Sequence, residues 1–154
     1  MMRTFFGSAI LAGCLLGLTA CSGGGNNGTS IPNQISGTCD PGTQVQLANP
    51  ISGQSGVSTN PGSVVVVANG NNNTLGNTFQ SWNVVLQDNF GNQFAAGNLV
   101  LATRPGNIAA PGPYPSDFYY SSSISNLSPG RTYSVGLNIF TSNCNPLFIG
   151  SFST

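Results

Sequence analysis

The chain has 154 residues with three Lys+Arg, three Asp+Glu and no His, so its formal net charge is zero. A typical soluble domain has about a quarter of its residues charged; here polarity rests on Asn, Ser, Thr, Gln and Gly. With no Lys, Glu or His there is no basic patch for nucleic acid, no polybasic segment for anionic lipid, and no Ser-His, Cys-His or zinc-ligating set.

In chain order, Met1, Met2 and Arg3 form a short positive start, and residues 4–17 are apolar and uncharged. This is a signal-peptide h-region in length and character, too short for a transmembrane span. A plain secretory cut after Ala20 would put Leu18 where a small residue belongs. Leu18-Thr19-Ala20-Cys21 instead resembles the lipobox of bacterial lipoproteins. The resemblance implies cleavage before Cys21, a diacylglyceryl thioether on its sulfur, and acylation of the new N-terminus, with palmitate the expected chain. Leu11-Ala12-Gly13-Cys14 matches the same pattern, but it leaves an h-region of only about eight residues. It also continues into apolar residues, whereas Cys21 is followed by Ser22-Gly23-Gly24-Gly25-Asn26-Asn27-Gly28, a flexible tether. An uncleaved anchor or plain signal peptide is the alternative. Residues 1–20 are thus read as signal peptide, 21–38 as tether and 39–154 as one domain. Ser22 after the lipidated position resembles lipoproteins of the outer membrane or cell surface rather than those kept in the inner membrane. Two or more acyl chains give stable membrane attachment.

The same resemblance sorts the cysteines. Cys14 leaves with the signal peptide and Cys21 takes the lipid. Cys39 and Cys144 remain in an oxidising compartment and are read as one disulfide, against two free buried thiols.

Beyond residue 20 no stretch carries apolar positions at helical spacing, and strand signals recur instead. Residues 43–48 alternate, with Val45 and Leu47 on one face. Val64-Val65-Val66-Val67 lies in a β-branched run, 63–68, short enough for a strand buried on both sides. Residues 79–87 place Trp82, Val84 and Leu86 on one face. Asp88-Asn89-Phe90-Gly91-Asn92 is a turn, and residues 93–103 follow as its hairpin partner, with Leu99 and Leu101 on one face. Residues 117–124 carry Phe118-Tyr119-Tyr120. Residues 131–141 turn Tyr133, Val135, Leu137 and Ile139 inward, and residues 147–152 close the domain. Between the strands, residues 50–62 form a linking loop, 69–77 an Asn/Gly-rich loop, and 104–115 a segment of four prolines on an extended path. Seven strands at this spacing predict an all-β sandwich.

Leu127-Ser128-Pro129-Gly130-Arg131-Thr132-Tyr133 resembles the approach to strand F in fibronectin type III and related bacterial Ig-like domains. The resemblance implies a tyrosine corner at Tyr133, its hydroxyl bonding backbone upstream. Asn49 to Asn60 looks like the P-x-x-G-x-x-G-V opening of bacterial Ig-like domains, and Trp82 to Asn92 like their C–C′ hairpin. The expected fold is therefore a seven-stranded, fibronectin type III-like Ig sandwich, lacking the acidic and Lys surface residues usual there. Cys39 and Cys144 do not match the inter-sheet disulfide of antibody domains. In an alternating sandwich they fall at one end, the end where the chain enters, as a disulfide requires. Loops 50–62, 88–92 and 126–130 then lie at the opposite end, away from a membrane.

The three carboxylates, Asp40, Asp88 and Asp117, each sit in a turn-like context and are read as turn and cap residues rather than a glycosidase pair. Asp88, Asn89 and Asn92 make a poor calcium site with one carboxylate. Asn-x-Ser/Thr sequons at Asn27, Asn72 and Asn126 are chance matches in an Asn-rich chain. Tyr114, Tyr119, Tyr120, Phe90 and Phe140 are not demanded by the core pattern, and alternation sends one of Tyr119 and Tyr120 outward. An exposed Tyr can stack on a sugar or anchor a protein; the alternative is cross-strand pairing or burial under the Pro-rich segment. The expected function is a non-enzymatic, lipid-anchored Ig-like module of the bacterial envelope, binding or structural, without metal or cofactor. Its partners are the membrane through the N-terminal lipid and an envelope protein or glycan, not nucleic acid. The alternative is a carbohydrate-binding or adhesive module using exposed Tyr.

Overall fold

The computed structural model describes residues 37–70 and 74–154. The signal peptide, the lipobox ending at Cys21, nearly all of the tether, and Asn27 and Asn72 lie outside the described residues. Eight strands occur among the described residues: β1 Val45–Asn49, β2 Gly62–Asn69, β3 Trp82–Asp88, β4 Gln93–Asn98, β5 Val100–Ala102, β6 Asp117–Ile124, β7 Thr132–Ile139 and β8 Leu147–Ser153. They form two four-stranded antiparallel sheets, β1-β2-β6-β5 and β4-β3-β7-β8.

The core lies between the sheets. Leu47, Val64, Val66 and Tyr120 come from one side, and Val84, Leu86, Val135, Leu137 and Phe152 from the other. Period-2 alternation supplies these residues on β1, β2, β3, β6, β7 and β8. β2 departs from alternation because it is covered twice. Val64 and Val66 enter the core, while Val65 and Val67 form a second cluster with Ala48 and Tyr119 on the outer face. Ile108 and Tyr114 of the Pro-rich segment pack over that cluster.

Residues 93–103 are not one strand. β4 pairs with β3, but β5 pairs with β6 in the other sheet. At the crossing Leu99 is 1 % exposed and donates its N–H to the Trp82 carbonyl at 2.9 Å. Leu101 is 66 % exposed although it pairs with the buried Tyr120, because β5 is the edge of its sheet. The expected seven strands therefore become eight.

The Asn/Gly-rich loop contains a short helix, α1 Thr74–Thr78, followed by a 3-10 turn Phe79–Ser81. A helix of this length is unstable alone. Leu75, fully buried, anchors it to the core, and the Phe79 ring meets Tyr120 at 5.3 Å. Another unexpected pairing lies in the first loop, where Gly53 donates to Ser151 and Val57 to Ser153, while Gln54 accepts from Ser153, at 2.7–3.0 Å. This stretch runs parallel to β8 and covers its outer edge.

Cys39 and Cys144 form a disulfide with a Cα–Cα distance of 5.0 Å. Cys39 N–H bonds the Asn145 carbonyl at 2.8 Å. The bond sits beyond the Ile139 end of β7, where β3 begins opposite it.

Candidate functional site

At the other end, Asp88 closes the β3–β4 hairpin. Its Oδ1 accepts the backbone N–H of Phe90 and of Asn92, each at 2.9 Å, and its Oδ2 accepts the Asn92 side-chain amide at 2.9 Å. Gly91 completes the turn at φ +84°, a conformation costly for other residues. The Asn92 amide holds the Asp88 carboxyl below its ordinary range; burial opposes this, and the two backbone N–H groups and Arg131 add to it. Arg131 places Nη1 3.9 Å from Asp88 and stacks its guanidinium 3.8 Å above the centre of the Phe90 ring. The stack adds a cation–π attraction to this ion pair; Arg131 Nη1 itself is buried without a hydrogen bond.

The β6–β7 turn joins this group. The Ser128 N–H donates to the Tyr133 hydroxyl at 2.8 Å, which fixes the turn from below. Asn126 N–H bonds the Asn60 side chain at 3.0 Å and Leu127 N–H bonds the Thr59 carbonyl at 2.9 Å. The β6–β7 turn thereby contacts both the first loop and the β3–β4 turn.

Between β4 and the end of β6 lies a cavity of about 180 Å³. Leu86, Phe94, Ile124, Leu127 and Tyr133 make its apolar floor, and Ser and Asn residues rim it. No ionisable group other than the phenol of Tyr133 lines it, and that phenol is held by Ser128. Phe94 is 47 % exposed and meets Tyr133 edge-on at 6.4 Å. A larger open cleft of about 520 Å³ lies between the Pro-rich segment and the outer face of β1 and β2.

The tyrosines do not form an exposed platform. Tyr120 points into the core with no exposure, and Tyr119 points outward but is 6 % exposed beneath the Pro-rich segment. Tyr119 O–H donates to Asp117 Oδ2, and Tyr114 N–H to Asp117 Oδ1, each at 3.0 Å. Burial first, then Asp117, pushes both phenols above their ordinary range; for Tyr119, Arg104 acts weakly the other way. Tyr114 is half-buried. Phe90 and Phe140 are exposed, Phe90 at the hairpin turn and Phe140 beyond β7 near the disulfide. Among the described residues every ring–ring contact includes a buried Tyr.

The carboxylates do not converge. Asp40 accepts the Gly42 N–H at 2.8 Å beside the disulfide, Asp88 holds the hairpin turn at the far end, and Asp117 holds the Pro-rich segment. The cavity beside β4 escaped the sequence reading, although Phe94 opposite Leu86 in the hairpin register was its available signal. Comparison with protein-family models, curated proteins and solved structures gives no match.

Proposed function

We propose that this chain is a lipid-anchored Ig-like module of the bacterial envelope that acts by binding rather than by catalysis. The observation that carries the reading is the placement of its ends. The disulfide fastens the start of the domain at one end, and the loop cluster with its neutral cavity occupies the other. An anchor at Cys21, joined by a tether with a reach of about 20–25 Å, would hold the first end toward the membrane and present the second outward. Two features support the Ig-like assignment. The strand order matches the ABED and C′CFG sheets of such domains. The Tyr133–Ser128 bond has the form of a tyrosine corner. Of the residues that the sugar-stacking alternative would use, Tyr119 and Tyr120 are covered, Tyr114 is half-buried and Phe90 is exposed.

The test is metabolic labelling with an alkyne analogue of palmitate in a bacterial host, followed by membrane fractionation. Wild type and Cys14→Ser should carry label and sediment with membranes. Cys21→Ser should lose both. Label persisting on Cys21→Ser would sink the anchor.

A further inference from the structure

Among the described residues Phe140 is the most exposed large apolar side chain, at 75 %. Phe90 lies under the Arg131 guanidinium and Phe94 lies edge-on to Tyr133. Phe140 makes no ring or cation contact among the described residues. It opens the turn between β7 and β8, Phe140-Thr141-Ser142-Asn143, which is exposed throughout and carries no charge. A solitary exposed ring needs no explanation by itself; the setting of this one supplies a reason for it.

Three observations describe that setting. The first is position. Cys144 follows the turn directly and is bonded to Cys39, with the two Cα atoms 5.0 Å apart. Asn145 N–H donates to the Gly37 carbonyl at 2.9 Å, and the Asn145 carbonyl accepts from Cys39. The chain preceding Gly37 therefore leaves the domain beside this turn. The second is the backbone. Phe140 N–H donates to the Ser81 carbonyl at 2.9 Å and Ser142 N–H to the Ile139 carbonyl at 3.0 Å. Donors paired within the protein can leave water without the penalty of an unmet hydrogen bond. The third is support. The bond to Ser81 fixes one side of the turn and the disulfide fixes the other, so a ring held there has little freedom left to lose on contact.

We infer that the β7–β8 turn docks on the lipid surface that holds the anchor, with the Phe140 ring at the boundary of headgroups and acyl chains and Thr141, Ser142 and Asn143 among the headgroups. This rests on the reading of Cys21 as the lipidated residue and gives the anchored end a lipid contact of its own. One ring does not hold a free domain on a bilayer, since even a single acyl chain binds only marginally. A tether with a reach of about 20–25 Å makes the contact intramolecular, and a weak contact then suffices to set orientation. The docked domain would point the loop cluster and its cavity away from the lipid instead of tumbling on its tether. A second copy is the poorer occupant. A turn of this size falls far short of the roughly 20–30 residues a side that a stable protein interface buries, and the anchor brings the bilayer, not another domain, to the end where Phe140 stands. Residues 140–146 hold no Lys or Arg, and Asp40 beside the disulfide is an exposed carboxylate. The surface that fits is therefore zwitterionic rather than anionic.

The test reads indole fluorescence at the turn. Trp82 is the chain's single Trp and is 3 % exposed in the core, which makes it a constant background. The full chain as Phe140→Trp, and as Phe90→Trp at the opposite end, is purified from the bacterial host and reconstituted into phosphatidylcholine vesicles with plain or acyl-brominated lipid. Emission of Phe140→Trp should shift to the blue and fall roughly twofold in brominated vesicles, as for a ring about 5–10 Å into the boundary. Wild type and Phe90→Trp should keep their emission. Amide exchange at Thr141 and Asn143 should slow on vesicles in wild type but not in Phe140→Ser, an exposed change that should leave the melting temperature unchanged. Unquenched emission from Phe140→Trp, equal quenching of Phe90→Trp, or a blue shift without quenching, which would mean that protein covers the ring, would each overturn the proposal. The palmitate label separates this contact from the anchor. A labelled protein whose Phe140→Trp variant stays unquenched loses the docked turn only, and an unlabelled one that is quenched loses the anchor only.

Discussion

Replacing Tyr133 with Phe removes one oxygen from a ring that stays packed against Phe152 at 5.6 Å. What is lost is the acceptor for the Ser128 N–H. We expect a destabilisation of about 1–2 kcal/mol, read in urea as a lower midpoint at unchanged slope; an unchanged midpoint would make the bond decorative. Proton linkage acts at two other residues. The Asp88 carboxyl is lowered from 3.8, so its contribution is full above that value and is lost as pH falls through the folded-state pKa. The Tyr114 and Tyr119 phenols are raised from 10.0, so their contribution is full below 10 and is lost as pH rises through the folded values. Stability should therefore be level from about pH 5 to 9 and fall on both sides, in thermal melts across pH; a slope inside that window would refute the assignment. At this scale the sequence pointed to Tyr133, because residues 127–133 resemble the approach to a tyrosine corner, but it did not show that the hydroxyl accepts the Ser128 N–H rather than donating to a carbonyl. It concealed the Arg131–Phe90 stack, which depends on two turns some forty positions apart meeting at one end.

Among the elements, β2 and β6 were legible. Four consecutive valines leave no polar face, and residues 117–124 hold three adjacent aromatics, Phe118-Tyr119-Tyr120, in a run of strand length. The division of residues 93–103 was not legible. Gln93-Phe94-Ala95-Ala96-Gly97-Asn98 and Val100-Leu101-Ala102 read as one apolar ribbon, and only tertiary pairing assigns them to different sheets. The same local silence hid α1, whose one large apolar residue in an Asn/Gly run, Leu75, decides its position. The Pro-rich segment is the element with the clearest dependence on a single residue. Gly112 has φ +92°, and a Cβ there would run into the Asp117 carboxylate that holds Tyr114 and Tyr119. Gly112→Ala should cost about 1–3 kcal/mol and loosen the segment from Val65, Val67 and Tyr119. Proteinase K cleavage between Gly106 and Ala110 would report it, and resistance equal to wild type would mean the segment is held from elsewhere.

Across the whole molecule the disulfide and the loop cluster divide the work of holding the sandwich. Chain alternation over the seven expected strands puts the two cysteines at one end, as their disulfide requires. The contacts at the opposite end needed the register. The cross-link spans a sequence separation of 105 residues, and its removal typically lowers stability by about 2–4 kcal/mol. The far end draws instead on hydrogen bonds to Asp88 and Tyr133 and on the Arg131–Phe90 stack, none of which involves a cysteine. Reduction should therefore lower the melting temperature while faster amide exchange is confined, under native conditions, to residues 38–42 and 140–146. Exchange at Asn92, Leu127 and Ser128 should follow only the global loss of stability. If reduction instead opened those three amides first, the two ends would be coupled through the core. The domain would then transmit the state of its disulfide to the opposite end.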